Sequence, residues 1–412
     1  MQFREHQLAN GLEIVAECNP NAHTASLGFF VRTGSRDEND SNWGVSHFLE
    51  HMTFKGTAKR SAADVNRELD EIGSSSNAYT TEEQTVYYAT VLSEYQERAL
   101  ELLADIMRPA LRTEDFDMEK QVILEEIAKY EDQPPFGANE KVMAAHFGSH
   151  PLSRSVLGTV KSVGDLTPEQ MRAYFDERYS PNNMVLVAAG HVDFDRLISA
   201  ADNLCGLWPT FETARLISRA QHHTGFGAIK NDLATQEYVV QVTNGPAAED
   251  EERYAARLLS LILGDESGSR LYWDLVETGI AEYAAMESYG FQGTGVFMTF
   301  LCCEPAATEA NLKQIHQTWL AAESDGVKES EVKQAKNKLC AHIILSAERA
   351  SSRLFSVGGN WIKRRSYQTV RETVDAFQKV KREDIDAVLE QFPLSKNTTV
   401  CVGPHDQIAP PT

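Results

Sequence analysis

The residues best placed to do chemistry in this chain are His47-Phe48-Leu49-Glu50-His51. Two imidazoles four residues apart lie about 40° apart around an α-helix, so both can reach one point beside it. Neutral imidazole nitrogens are good zinc ligands. Glu50, one residue before the second histidine, can lean over the same ion and take a proton from water. The order H-x-x-E-H reverses the H-E-x-x-H zinc-site pattern. A catalytic zinc site needs a third protein donor and an open water position, so an acid elsewhere must complete it. The bland alternative is a surface helix with two solvated imidazoles.

The third donor should come from a rigid element. Residues 113–131 read as an amphipathic helix that carries Glu114, Asp115, Asp117, Glu119, Glu125 and Glu126. At 100° per residue, Phe116, Ile123, Ile127 and Tyr130 centre its apolar stripe. Glu119 and Glu126 fall about 40–60° from that centre, and Glu125 falls nearly opposite. Burying an acid on such a stripe costs on the order of several kcal/mol unless it is paired or bound to a metal. Glu119 and Glu126 therefore need a partner, a metal or a buried Arg or Lys, and Glu125 needs none. Helical geometry does not decide which of the two would coordinate. An acid beside such a site can instead orient a ligating histidine through its other ring nitrogen.

The elements that must position these groups follow from periodicity. Residues 11–17 and 25–33 alternate as two strands of a hairpin, and the motif helix follows them. A helix over 61–72 has Ser61 as N-cap and Gly73 after its end. Strands over 77–81 and 85–92 are joined by Glu82-Glu83-Gln84, and a long helix from Ser93 to Arg108 precedes Pro109. Each half of the chain closes on the same pattern. The helix from Thr167 leads to the strand 184–189 and Gly190-His191-Val192-Asp193; that from Lys381 leads to 398–402 and Gly403-Pro404-His405-Asp406. This predicts a duplicated α+β domain, 1–212 and 213–412, with the join in the polar stretch 209–224. In the second half the helix over 251–263 takes the place of the motif helix but has no histidine, so that half is expected to be metal-free.

Composition narrows the class. A chain of 412 residues exceeds one typical core. The net charge of -21 argues against binding nucleic-acid backbone or anionic lipid. The six cysteines, Cys18, Cys205, Cys302, Cys303, Cys340 and Cys401, form no C-x-x-C pair and read as buried free thiols of a reducing compartment. The first residues have no apolar core of a signal peptide, and no apolar run reaches membrane-spanning length. A cytoplasmic protein without a membrane anchor is expected.

The chain resembles the M16 zinc metallopeptidases of the pitrilysin/insulysin superfamily, and most closely the mitochondrial-processing-peptidase-like bacterial M16B peptidases of about 400 residues. The resemblance rests on Gly28-Phe29-Phe30-Val31-Arg32-Thr33-Gly34-Ser35-Arg36 and the motif with Met52-Thr53-Phe54-Lys55-Gly56-Thr57. It continues through Asn77-Ala78-Tyr79-Thr80-Thr81, Val86-Tyr87-Tyr88-Ala89, Glu119-Lys120-Gln121-Val122-Ile123-Leu124-Glu125-Glu126-Ile127 and, more loosely, Gly268-Ser269-Arg270-Leu271-Tyr272.

The resemblance implies an α+β, LuxS/MPP-like metallohydrolase fold of two homologous domains, each a mixed sheet covered by helices. It implies one zinc per chain on His47, His51 and Glu126, with Glu50 as general base activating the zinc-bound water and Glu119 as a supporting acid. Asn77, Ala78 and Tyr79 become an edge strand that hydrogen-bonds an extended peptide. The implied activity is that of a zinc endopeptidase acting on peptides or unfolded segments inside a closed dimeric chamber. The family's second half supplies an Arg and a Tyr facing the zinc. Tyr283 stands at the Tyr position, but Val276 stands where the Arg is expected. The chain is then a homodimeric peptidase, or the zinc-bearing subunit of a heterodimer whose related partner brings the pair. Two rival readings are a non-catalytic structural subunit of the same fold and a zinc hydrolase of non-peptide amides. Three further candidates read as structural: His222-His223 as a solvated loop, 264–269 as a link between helices, and His146 with His150 as a helix end.

Overall fold

Eleven strands alternate their apolar side chains into two sheets, and the computed structural model describes them over residues 1–411. The first unit comprises Met1–Ala128, Arg154–Leu216 and Leu345–Gln368. Its sheet is built from β1 (Gln2–Gln7), β2 (Glu13–Cys18), β3 (Thr24–Val31), β4 (Ser75–Thr80), β5 (Thr85–Leu92) and β6 (Met184–Gly190), in the order β1-β2-β6-β3-β5-β4. Between β3 and β4 the chain forms α1 (Val45–Thr53) and α2 (Ala62–Glu71). Between β5 and β6 it forms α3 (Gln96–Ile106), α4 (Thr113–Asp132), α5 (Ala138–Phe147), α6 (Val160–Asp165) and α7 (Pro168–Arg178), and α8 (Phe194–Cys205) follows β6.

The second unit comprises Lys129–Ser153, Ile217–Ile344 and Thr369–Thr412. Its strands are β7 (Gly225–Lys230), β8 (Glu237–Gly245), β9 (Tyr283–Phe291), β10 (Thr294–Cys303) and β11 (Thr398–Gly403), in the order β7-β11-β8-β10-β9. The helices of the second half of the chain are α9 (Arg253–Gly264), α10 (Thr308–Asp325), α11 (Glu329–Ser346), α12 (Ala350–Arg364), α13 (Val370–Lys379) and α14 (Arg382–Gln391). No helix among the described residues is long and apolar enough to cross a membrane.

Apart from β1, which only the first sheet has, the two sheets share one topology. In each, the last strand lies parallel to the first of the repeat, β6 on β2 and β11 on β7. It then pairs antiparallel with the next, β3 or β8, which leads antiparallel to β5–β4 or β10–β9. Strands 11–17 and 25–33 therefore exist as expected but are not a hairpin. β6 enters between them, because its apolar faces match both and the helical crossover from β5 is long enough to deliver it.

The units are not contiguous halves of the sequence. α12 comes from the second half, yet it packs Leu354, Val357 and Ile362 on Val15, Phe30, Val185 and Val187 of the first sheet. α5 comes from the first half and packs Val142, Met143 and Phe147 on Val240, Val242, Val400 and Val402 of the second. They occupy equivalent places in the repeat, so the exchange is reciprocal. Each sheet is thereby covered on both faces, the other face carrying the larger core of its unit. Gly358 makes the close approach possible, since a Cβ there would lie 2.4 Å from the Phe30 ring.

Covering both faces buries the acids of β2. Glu17 is 2% exposed and takes a bidentate pair from Arg353 of α12, Nε to Oε1 at 2.7 Å and Nη2 to Oε2 at 2.5 Å. The Tyr367 hydroxyl donates to the same Oε2 at 2.7 Å. Glu13 receives Arg32 at 2.9 Å and the Trp361 indole N–H at 3.1 Å. Removing one partner of such a pair leaves a buried charge uncompensated. Arg353→Ala is expected to lower the unfolding free energy of the first unit by about 3–5 kcal/mol in urea denaturation, and a loss under about 1 kcal/mol would show that the pair does not hold α12.

Candidate metal centre

The site is assembled on α1 and α4. Gly44, at φ 93°, turns the chain into α1, and Glu38 caps the helix from outside. Its Oε2 accepts the Gly44 N–H and its Oε1 the Ser46 N–H, both at 2.7 Å. A carboxylate at the first turn also meets the positive end of the helix dipole. Burial nevertheless pushes the Glu38 carboxyl up to about 7, against the pull of those two donors. The Tyr174 hydroxyl lies 2.7 Å from both Ser46 Oγ and Thr33 Oγ1, which ties the same turn to the end of β3.

Val45, Phe48, Leu49 and Met52 of α1 enter the core, and Phe48 stacks on Phe116 of α4 with ring centroids 4.6 Å apart. That packing fixes the spacing of the two helices and turns His47 and His51 toward α4. The α4 stripe is Phe116, Glu119, Ile123 and Ile127, while Glu125 is exposed, as the helical phase requires. Tyr130, expected on the stripe, is 52% exposed, because this end of α4 runs out of the first unit's core.

Three donor atoms converge. His47 Nε2 lies 3.9 Å and His51 Nε2 3.7 Å from Glu126 Oε2, and the three lie within 4.8 Å of one another. Such separations are too long for hydrogen bonds. The two separations from Glu126 are about half an ångström longer than the roughly 3.3 Å edges of a tetrahedron with zinc–ligand bonds near 2.0–2.1 Å. Burial, aided by neighbouring His51, pushes the His47 imidazole down to about 4, so its ring is neutral with a lone pair to give. His51 Nδ1 lies 2.9 Å from Glu119 Oε1, which holds the Nδ1–H tautomer and leaves Nε2 free toward Glu126. Burial opposes charge on His51, but Glu119, Glu126 and Glu50 outweigh it and raise its pKa. The other Glu119 oxygen pairs with the Lys55 ammonium. The donor set therefore fits a zinc ion.

Glu50 points to the same place from one residue earlier. Its Oε2 accepts the Thr80 hydroxyl of β4 at 2.6 Å, and burial raises its pKa. Glu50 and His51 border a cavity of about 310 Å³ with Phe54, Asn66 and Asn77. β4, which carries Asn77, Ala78 and Tyr79, is the last strand of its sheet, and among the described residues no strand pairs with its outer edge.

Tyr283 belongs to the second unit, where it opens β9 and is 40% exposed. Val276 ends a π-helical turn, Tyr272–Val276, and is partly buried against that unit's core. His146 is a core histidine, with Nδ1 3.1 Å from Thr398 Oγ1 and Nε2 3.0 Å from Asn244. Among the described residues, the only group of three metal-ligand side chains within reach of one ion is His47, His51 and Glu126. The sequence reading missed Glu38, Lys55, Thr80 and Tyr174. Thr80 was the one with a signal, since period-two alternation sets it on the opposite face from Tyr79.

Residues 13–160 match the model of the insulinase family, peptidase family M16, and residues 165–339 match that of the peptidase M16 inactive domain. A protein of Rickettsia felis named an uncharacterized zinc protease is 31% identical over 98% of each chain. The chain belongs to peptidase family M16. M16 likeness extends to solved structures. A protease from Helicobacter pylori superposes with a TM-score of 0.91 at 21% identity, covering 98% of this chain and 99% of that one. A chain of complex III2 from Candida albicans does so with a TM-score of 0.84 at 19% identity, covering 97% and 95%. At these identities the structures attest the two-domain M16 fold.

Two measurements test the centre. Glu119→Ala is expected to weaken zinc binding about 10- to 100-fold in competition with a chromophoric chelator, while Glu125→Ala leaves it unchanged. Equal effects would remove Glu119 from the site. Acid should weaken zinc binding because the raised pKa of His51 makes zinc displace its proton, whereas His47 stays neutral down to about pH 4. The imidazoles then cost one proton, not two, between pH 6 and 5, measurable as protons released on binding.

Proposed function

We propose that this chain is a zinc endopeptidase that hydrolyses peptides or unfolded segments, with one zinc held by His47, His51 and Glu126. The observation that carries the reading is the convergence of those three donors beside Glu50, at the outer edge of β4. The family match and relatives named zinc proteases support the reaction class. Zinc, when bound, would supply Lewis acidity, polarising the scissile carbonyl and acidifying the attacking water.

The chain's own residues do the rest. An extended peptide adds to the edge of β4 at Asn77, Ala78 and Tyr79 through main-chain hydrogen bonds, which favours unfolded substrate over folded protein. Glu50 removes a proton from water as its oxygen attacks the carbonyl carbon. It returns that proton to the amine nitrogen as the C–N bond breaks. Its partial burial raises its basicity, and the Thr80 hydroxyl occupies one of its oxygens. Glu119 holds His51 in register for both steps. In a homodimer each zinc half would face the other subunit's second half, whose Tyr283 would donate to the substrate carbonyl. The reading includes a dimeric chamber, formed by two copies or by one copy and a related cytoplasmic subunit that brings the Arg and Tyr pair.

The match to complex III2 raises a second reading, a structural subunit. A complete donor set with its base and orienting acid favours the enzyme, since a scaffold has no use for the buried Glu119 charge or for the half-buried acids it accompanies. Glu50→Gln separates the two readings. Zinc content by atomic absorption should stay near one per chain, while cleavage of an unstructured peptide such as the insulin B chain falls at least about 100-fold. Normal turnover in this variant would remove Glu50 as the base, and wild-type protein purified without zinc would favour the scaffold.

A further inference from the structure

The helix that the second half of the sequence lends to the first sheet, α12, packs on β6, β3 and β2, and its Phe355 ring reaches toward β4. Phe355 of α12 is only partly buried, unlike its neighbours Leu354 and Val357. Its ring meets that of Tyr88 edge-on, centroids 4.8 Å apart, and lies 6.0 Å from that of Tyr79 on β4 and 6.4 Å from that of Phe30. Tyr79 and Tyr88 are also partly exposed. Three aromatic rings thus stand together on one face of the sheet, and Tyr79 stands on its last strand, which among the described residues has no strand on its outer side. The opposite face of that strand carries Ala78, in the main core, and Thr80, bonded to Glu50.

We propose that Phe355, with Tyr79, forms a side-chain subsite that reads one of the two substrate residues flanking the bond to be cut, and that it selects an aromatic or large aliphatic residue. The inference rests on the peptidase reading above. A peptide strand added to β4 sends consecutive side chains to opposite faces, as any strand must. With its scissile carbonyl beside Glu50 and His51, one flanking residue points toward the cavity bordered by Phe54 and Asn66, on the α1 side. The next residue along the chain points to the α12 side and meets Tyr79 and Phe355. Offset and edge-on ring contacts at about 4.5–7 Å are favourable, so a fourth ring entering this cluster gains beyond its buried area. Phe355 is a positioning and specificity residue and takes no part in the chemistry. The sequence tied it to nothing, since residue 355 lies far along the chain from the motif.

The test is the cleavage profile of wild-type protein and of Phe355→Ala and Phe355→Leu on a peptide library, read by mass spectrometry, with kcat/KM on matched peptides. Wild-type protein should enrich aromatic or large aliphatic residues at one flanking position. For peptides differing only there, Phe against Ala, the kcat/KM ratio should fall about tenfold in Phe355→Ala and less in Phe355→Leu, which still fills the contact with Phe30. Preference at the other flanking position should not move. Because a ratio is read within each variant, a general loss of folded protein cancels. A preserved ratio, an equal loss of selectivity at both positions, or a wild-type profile without such enrichment overturns the inference and leaves the peptidase standing. Wild-type protein that cuts no peptide overturns both.

Discussion

Everything at the metal centre depends on one buried carboxylate. Glu119 is 3% exposed on the apolar stripe of α4, where an unpaired charge would not survive. One of its oxygens faces His51 Nδ1 and the other the Lys55 ammonium, so it binds the last turn of α1 and the segment that follows it to α4. Burial alone would raise its pKa, but these two partners outweigh burial and keep it ionised. An ionised Glu119 fixes the His51 tautomer, and the tautomer determines that Nε2 faces Glu126. Glu38 does the complementary work at the other end of α1, where its two oxygens take the first backbone donors. The motif helix is pinned by a carboxylate at each end, and the spacing of His47 and His51 from Glu126 is inherited from those pins and the stack of Phe48 on Phe116.

The reciprocal exchange of α5 and α12 solves a different problem. A mixed sheet whose strands carry apolar residues on both faces needs cover on both sides. In each repeat the larger helical layer covers one face, and a single helix from the other half of the sequence covers the second. The arrangement makes the first unit incomplete without residues 345–368. Arg353 and Tyr367 neutralise Glu17, an acid that β2 would otherwise bury alone. The strand edge on which a peptide is proposed to bind is therefore part of a sheet stabilised by the far end of the chain.

What could be read from the sequence was what short-range geometry dictates. The spacing of His47 and His51, the phase that separates Glu126 from Glu125, the cap at Ser61 and the β4–β5 hairpin each follow from residues within a turn or two of one another. The closing strands of the two halves were also legible, because a repeated helix–strand pattern needs no tertiary knowledge. What failed was pairing at long range. Alternation in 11–17 and 25–33 marks two strands but says nothing about which strand fills the gap between them. Amphipathicity of α12 shows that one face is buried, and cannot say in which unit. Nor does alternation in β2 reveal that Glu13 and Glu17 are buried, since the helix that covers them comes from the far end of the chain. Lys55 carries no local sign of its pairing with Glu119, since the two meet only when α1 packs on α4.

Comparison of the repeats indicates which of these charges the fold itself requires. In the second unit α11 takes the place of α4, and its buried positions Val332, Ala335 and Leu339 repeat the spacing of Phe116, Glu119 and Ile123. Alanine stands where the first unit buries a glutamate. α9, in the place of α1, buries Leu258, Leu259, Ile262 and Leu263 and carries no histidine. The same topology therefore forms without the buried acid and without the imidazoles. Apolar residues in these positions are as good for stability, and often better, than a buried ion pair. Folding gives the first unit no reason to keep Glu119, Lys55 and Glu38 at the cost of desolvating them. Their cost is offset by what they hold in place, two imidazoles and a carboxylate aimed at one point.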